Sequence, residues 1–121
     1  MAKILVVDDE RAIRNTLKEI LEFEGYTVDL AEDGKQGVAK ALTNEFDLIY
    51  SDVKMPELDG LDLLDATRDK IKAPVVLISG HGNIETAVEA IKKGAWDFIE
   101  KPLDLNRLLV TTKNALDHQS L

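Results

Sequence analysis

Asp52 ends a run of large residues, Leu48-Ile49-Tyr50-Ser51, and stands just before a Lys54-Met55-Pro56 turn. Asp is disfavoured in strand interiors and an unpaired buried carboxylate is costly, so its place at the tip of such a run asks for a partner. Similar runs end in Asp8-Asp9, in Ser79-Gly80 and in Glu100-Lys101-Pro102. Taken singly, each is an ordinary turn or helix cap. Taken together, three carboxylates, a hydroxyl and an ammonium recur at one kind of position, the residues that close each run. Carboxylates brought within a few ångströms raise one another's pKa unless a cation sits among them. A hard divalent ion bound by one or two carboxylates, a carbonyl and several waters suits Mg2+, and Lys101 supplies a second positive charge. An oxygen nucleophile beside such an ion, an ammonium and a hydroxyl is an arrangement for phosphoryl transfer, where catalysis is mainly positioning and charge neutralisation. With a carboxylate as nucleophile the product is an aspartyl phosphate.

The elements that would bring these residues together alternate along the chain. KILVV (3–7) is a compact β-branched run, and Ile13, Leu17, Ile20, Leu21 and Glu24 then follow helical spacing up to a stop at Gly25. YTVDLA (26–31) alternates as a strand at or near a sheet edge does. Asp33-Gly34 reads as a turn before a second helix, with Val38, Ala41 and Leu42 on one face. DLIYS (47–51) is a third strand, and Asp59-Gly60 opens a third helix carrying Leu61, Leu64 and Arg68. PVVLIS (74–79) is the most strand-like run. Asn83 is placed to cap a helix with Ala87, Val88 and Ile91 on one side, and Gly94 follows it. WDFI (96–99) is the last strand. Asp104 is placed to cap a fifth helix whose inner face is Leu105, Leu108, Leu109, Thr112 and Leu116. Five strands, each followed by a helix, imply an α/β fold with a parallel sheet covered on both faces. In such a sheet ligands bind beyond the carboxyl ends of the strands, which is where the residues closing these runs fall.

At 121 residues the chain has the length of one domain. Acidic residues (23) outnumber basic ones (15), for a net charge of −8, which argues against direct nucleic-acid contact. There is no cysteine, and the only histidines are His81 and His118, so a thiolate or zinc centre is not expected. The first apolar run is too short for a leader or a membrane span, and the expectation is a cytoplasmic protein. The tail DHQSL (117–121) turns polar after the last helix, as at the start of a linker.

The motifs VVDDE (6–10), SDVKMPELDG (51–60), LISGHG (77–82) and FIEKP (98–102), in this order and spacing, resemble the receiver domain of bacterial two-component response regulators over essentially the whole chain. The resemblance implies a flavodoxin-like, doubly wound five-stranded parallel sheet of order 2-1-3-4-5 with five helices. It implies that Asp52 accepts a phosphoryl group from the phosphohistidine of a sensor histidine kinase. Asp8 and Asp9 would hold Mg2+ together with Asp52 and the backbone carbonyl of Lys54. Ser79 and Lys101 would contact the phosphoryl oxygens, Ser79 and Phe98 would form the switch, and Lys101-Pro102 would be a cis peptide. Lys54 and His81 would flank the path of the attacking water and so modulate the lifetime of the adduct. The run from Gly80 to Pro102 is most similar to receivers of the NtrC type, which precede a sigma-54-activating ATPase domain. That implies an output domain beyond residue 121 and a role in transcription. Ser79, Gly80 and Phe98 stand where Thr, Ala and Tyr are frequent in the family. The hydroxyl survives the first exchange, while Phe98 removes any phenol hydrogen bond from the switch.

Other classes fit less well. A hydrolase working through an aspartyl phosphate would want an acid two residues after the nucleophile, and position 54 is Lys. A phosphate-binding G-x-x-x-x-G-K-[ST] loop is absent. A receiver reduced to an interaction module would not need the complete acidic set. On this reading Trp96 shares a strand face with Phe98 and, flanked by Ile84, Val88 and Leu108, is the expected anchor for a phosphorylation-dependent homodimer or an output domain.

Overall fold

Every β-branched run becomes a strand, and every stretch of helical spacing a helix. The computed structural model describes residues 2–80 and 83–119. In chain order the elements are β1 (Lys3–Val7), α1 (Arg11–Phe23), β2 (Thr27–Ala31), α2 (Gly34–Thr43), β3 (Leu48–Asp52), α3 (Gly60–Thr67), β4 (Val75–Ser79), α4 (Ile84–Lys92), β5 (Asp97–Glu100) and α5 (Leu105–Gln119). The strands form one parallel sheet in the order β2-β1-β3-β4-β5. β1, β3 and β4 are flanked on both sides, and their residues are buried almost throughout, as continuous apolar runs require. β2 lies at an edge, and its alternating sequence leaves most positions half-buried.

Two apolar clusters sandwich the sheet. One joins Leu5, Val7, Ile49 and Leu77 to Ala41 of α2, Leu63 and Leu64 of α3 and Ala90 of α4. The other joins Ile4, Val6, Leu48, Tyr50, Val76 and Ile78 to Leu17 and Leu21 of α1 and Leu108 and Ala115 of α5. Helices α2, α3 and α4 thus cover one face and α1 and α5 the other, the arrangement that right-handed crossovers on a reversed strand order produce. In the second layer the buried Tyr50 hydroxyl meets Thr112 Oγ1 and the Leu108 carbonyl, so α5 is tied to β3 by a satisfied polar pair.

Several sequence expectations change on this scaffold. Asp33-Gly34 is no separate turn: Asp33 caps α2 by accepting from Gln36 N–H, and Gly34 is its first residue. A Cβ on Gly34 would run into the Leu58 carbonyl, so the glycine is there for close approach. Helix α3 ends at Thr67, with Arg68 its C-cap, and its buried face is Gly60, Leu63, Leu64 and Thr67. Helix α4 buries only Ala90, while Val88 and Ile91 of its expected inner face are exposed. Leu105 is likewise exposed, while α5 buries the expected Leu108 and Thr112 together with Thr111 and Ala115. The tail did not leave the helix at Asp117: α5 runs on to Gln119, with no glycine or proline to break it and the His118 ring stacked on Trp96 at 4.4 Å.

Candidate functional site

The site is built by the ends of four neighbouring strands, β1, β3, β4 and β5. Asp52 is the last residue of β3 and pairs in register with Ile78 of β4. Ser79 follows Ile78 and pairs with Glu100 of β5. Lys101 is the next residue along, and its N–H donates to the Ser79 carbonyl at 2.8 Å. On the other side of β3, Asp8 continues β1, donating its N–H to the Ala31 carbonyl at 3.2 Å. Strand order alone therefore places Asp8 and Lys101 on opposite sides of Asp52. The Lys101–Pro102 bond is cis.

The Lys101 ammonium lies between two buried acids, with Nζ 3.5 Å from Asp52 Oδ1 and 3.8 Å from Asp8 Oδ2. Asp8 is 1% exposed and Asp52 6%. These separations are ion-pair distances rather than tight hydrogen bonds, so the ammonium compensates both charges without fully neutralising either. Burial dominates the electrostatics. It pushes the Asp8 carboxyl from its ordinary 3.8 up to about 6; the Glu10 N–H on Oδ1 works against this, while Asp52 and Asp9 add repulsion that Lys101 only partly offsets. Asp52 is also shifted upward, first by burial and then against the pull of Lys101. Acids held in this state lack positive charge, which is what a divalent cation would supply.

Among the described residues, Asp8, Asp9 and Glu10 each present a carboxylate oxygen, all within 4.8 Å of one another. Hard oxygen donors around a buried, repelling pair fit Mg2+ well. Asp8 and Asp9 are the expected pair. Glu10 adds a third carboxylate beyond this pair, and its place as a third consecutive acid is the signal the sequence offers for it. Asp52 is not in this trio, although it and Asp9 lie close enough to repel Asp8. Lys54 is exposed, in the loop after β3, and lines an open hollow with Met55, Pro56 and Asp59. His81 lies outside the described residues. Ser79 is 4% exposed at the strand end.

The loop carrying Lys54 is shaped by its own sequence. Glu57 has φ 66°, in the left-handed region, where the Leu58 N–H donates to the Pro56 carbonyl at 2.7 Å and closes a tight turn. Asp59 then caps α3, accepting from the Asp62 N–H while the Asp62 carboxylate accepts from the Asp59 N–H. Gly60 donates its N–H to the Val53 carbonyl at 2.8 Å, and a Cβ there would come within 2.5 Å of the Asp52 carbonyl oxygen. Gly60→Ala is therefore expected to push α3 off the end of β3 and to cost about 1–3 kcal/mol, read by urea unfolding. A variant as stable as the parent would show that the loop gives way freely.

The two residues expected to form the switch share a face. Phe98 is in register with Leu77 and packs against the cluster beneath α2–α4, and Ser79 lies two residues beyond Leu77 on β4. Trp96 does not join them. Strand β5 begins only at Asp97, so alternation does not carry back to Trp96, whose indole instead meets His118 of α5. Leu108 is fully buried under the sheet and cannot flank a surface anchor. Exposed on this side are Ile84 (81%), Val88 (46%) and Ile91 (51%) along α4, with Trp96 (36%) just before β5.

The fold is a doubly wound α/β domain whose sheet brings acids from β1 and β3 to face a lysine after β5 at its carboxyl edge. A profile of the response regulator receiver domain matches residues 4–113, and the chain belongs to that family. NtrX, a nitrogen assimilation regulatory protein of Azorhizobium caulinodans, is 50% identical over 117 residues, which is 94% of this chain and 26% of that protein. The transcriptional regulatory protein ZraR of Escherichia coli is 42% identical over 120 residues, 95% of this chain and 26% of that protein. Among solved structures, NtrX of Brucella abortus superposes with a TM-score of 0.89 at 44% identity, covering 98% of this chain and 28% of that one. A CheY-like receiver of Methanospirillum hungatei gives 0.93 at 36% identity, covering 99% and 97%. The chain thus spans about a quarter of the length of the regulators NtrX and ZraR. Among the described residues no helix is long and apolar enough to cross a membrane.

Proposed function

We propose that this receiver is switched by phosphorylation of Asp52. The observation that carries the reading is the Lys101 ammonium set between the buried carboxylates of Asp8 and Asp52. An Asp52 carboxylate oxygen attacks the phosphorus of a histidine kinase's phosphohistidine. The P–N bond breaks, the imidazole leaves with the bond's electron pair and takes up a proton, and an aspartyl phosphate remains. Asp8 and Asp9, with Asp52 and the Lys54 carbonyl, would hold Mg2+, which when bound would offset charge on the phosphoryl oxygens. Lys101 pairs with one of those oxygens and the Ser79 hydroxyl donates to another. Lys54, exposed in the loop after β3, flanks the approach of water, and its side chain and that of His81 tune the lifetime of the adduct.

Movement of Ser79 toward the phosphoryl group vacates space for Phe98 on the same sheet face, a local charge change biasing a two-state packing. The apolar row Ile84, Val88, Ile91 with nearby Trp96 supports the α4–β5–α5 side as the output surface, because contiguous exposed apolar residues are interaction sites more often than chance solvent contacts. There the activated domain pairs with a second copy or engages an output domain of the NtrX and ZraR kind, acting on sigma-54-dependent transcription in the cytoplasm, with no contact to nucleic acid or membrane by this domain. Incubation with acetyl phosphate and Mg2+ followed by intact mass tests the chemistry. A persistent single phosphoryl adduct is expected; rapid turnover without an adduct marks a hydrolase, and no reaction an interaction module.

A further inference from the structure

Arg14 has no part in the scheme above, yet it is only 8% exposed. A guanidinium that deep is costly unless its donors are met, and the common solution is a carboxylate partner. Among the described residues no ion pair includes it. Its Nη1 donates instead to the main-chain carbonyl of Asp8 at 2.7 Å, in a buried bond spanning six residues.

Asp8 is tied in two further ways, by its own N–H to the Ala31 carbonyl and by Oδ1, which accepts from the Glu10 N–H at 2.9 Å. Neither bond fixes the peptide plane that joins Asp8 to Asp9. That plane is rigid, so the direction of the Asp8 carbonyl also sets the Asp9 N–H and the position of the Asp9 Cα. Asp9 is exposed and has little packing of its own to orient it. We infer that Arg14 is a positioning residue for the metal site: by gripping the Asp8 carbonyl it fixes the angle at which the Asp8 and Asp9 carboxylates face a divalent cation. The inference rests on the reading of those two acids as the Mg2+ holders. It also explains why a long, forked cation sits at this helix position, where an apolar residue would pack against the sheet at less cost. Supporting groups one step removed from a metal commonly change its affinity by 10–100-fold when altered.

The test is a titration of the whole chain with Mn2+ followed by EPR, with Mg2+ as competitor, on the parent, Arg14→Met, Arg14→Lys, Asp9→Asn and Leu17→Val. Leu17 is buried in the same helix as part of the apolar cluster between α1 and the sheet, so its variant reports on a loosened α1. Arg14→Met is expected to weaken Mg2+ binding about tenfold. Arg14→Lys, which keeps a donor but not the fork, should fall between it and the parent, and Leu17→Val should bind as the parent does. If Arg14→Met does not fold, the comparison of Arg14→Lys with Leu17→Val decides. Parent-like binding by the Arg14 variants, or an equal loss in Leu17→Val, overturns the positioning role while leaving the site intact. A parent that binds no Mg2+, or binds it equally well as Asp9→Asn, overturns the metal site and this inference with it.

Discussion

Asp52→Asn is expected to take up no phosphoryl group from acetyl phosphate under conditions where the parent is modified, a loss of the whole signal in intact mass. The amide is nearly isosteric, so β3 and its register with β4 should survive. Its nitrogen lone pair is delocalised, however, and its oxygen is too poor a nucleophile to form the acyl phosphate. Neighbouring acids should not substitute. Asp8 Oδ1 is already engaged by the Glu10 N–H, and its carboxylate is one of the pair that would hold Mg2+. Asp52 is the buried acid nearer the Lys101 ammonium, at 3.5 Å against 3.8 Å. Peptide mapping of the modified parent provides the second arm. Adduct on Asp8 or Asp9 in the parent, or undiminished labelling of Asp52→Asn, would mean that the strand tip is not the acceptor.

How far such a site can be read from sequence depends on what each signal encodes. Asp52, Ser79 and Lys101 were legible because parallel strands end on one edge, so the residue that closes each run has a known neighbourhood. Caps were legible for a similar reason: Asn83 and Asp59 sit before apolar periodicity and do accept from Thr86 and Asp62 N–H. The inner face of α4 was not. Val88 and Ile91 have the spacing of a buried stripe, but periodicity records an apolar face without saying what covers it. Trp96 misled for another reason, since alternation holds only inside a strand and Trp96 precedes β5. Arg14 gave no signal at all. A basic residue in a helix reads as solvated, and only the fold shows its side chain reaching back six residues to a carbonyl.

Removal of metal should make the pH dependence of stability unusual for an acid. A carboxyl whose pKa falls on folding stabilises the native state as pH rises; Asp8 does the reverse. Its value climbs from 3.8 to about 6, chiefly through burial, so the folded chain prefers the proton. The stability this contributes is fully present below pH 4 and is lost as pH rises through about 6. Roughly two units correspond to about 3 kcal/mol in the metal-free state. Asp8→Asn keeps an oxygen to accept the Glu10 N–H but never ionises. In EDTA the variant should match the parent near pH 4 and exceed it by about 3 kcal/mol at pH 8. Asp52, shifted in the same direction, should give a gap of the same sign in Asp52→Asn. Saturating Mg2+ should then close the Asp8→Asn gap from the parent's side. An ion that binds the folded carboxylate pair and not the unfolded chain raises only the parent's stability, by an amount that grows with its concentration over Kd. Urea unfolding of both proteins at the two pH values, with and without Mg2+, measures every term. A gap independent of pH would show that the Asp8 carboxylate is not strained by burial, and a gap that Mg2+ leaves unchanged would show that the ion does not relieve it.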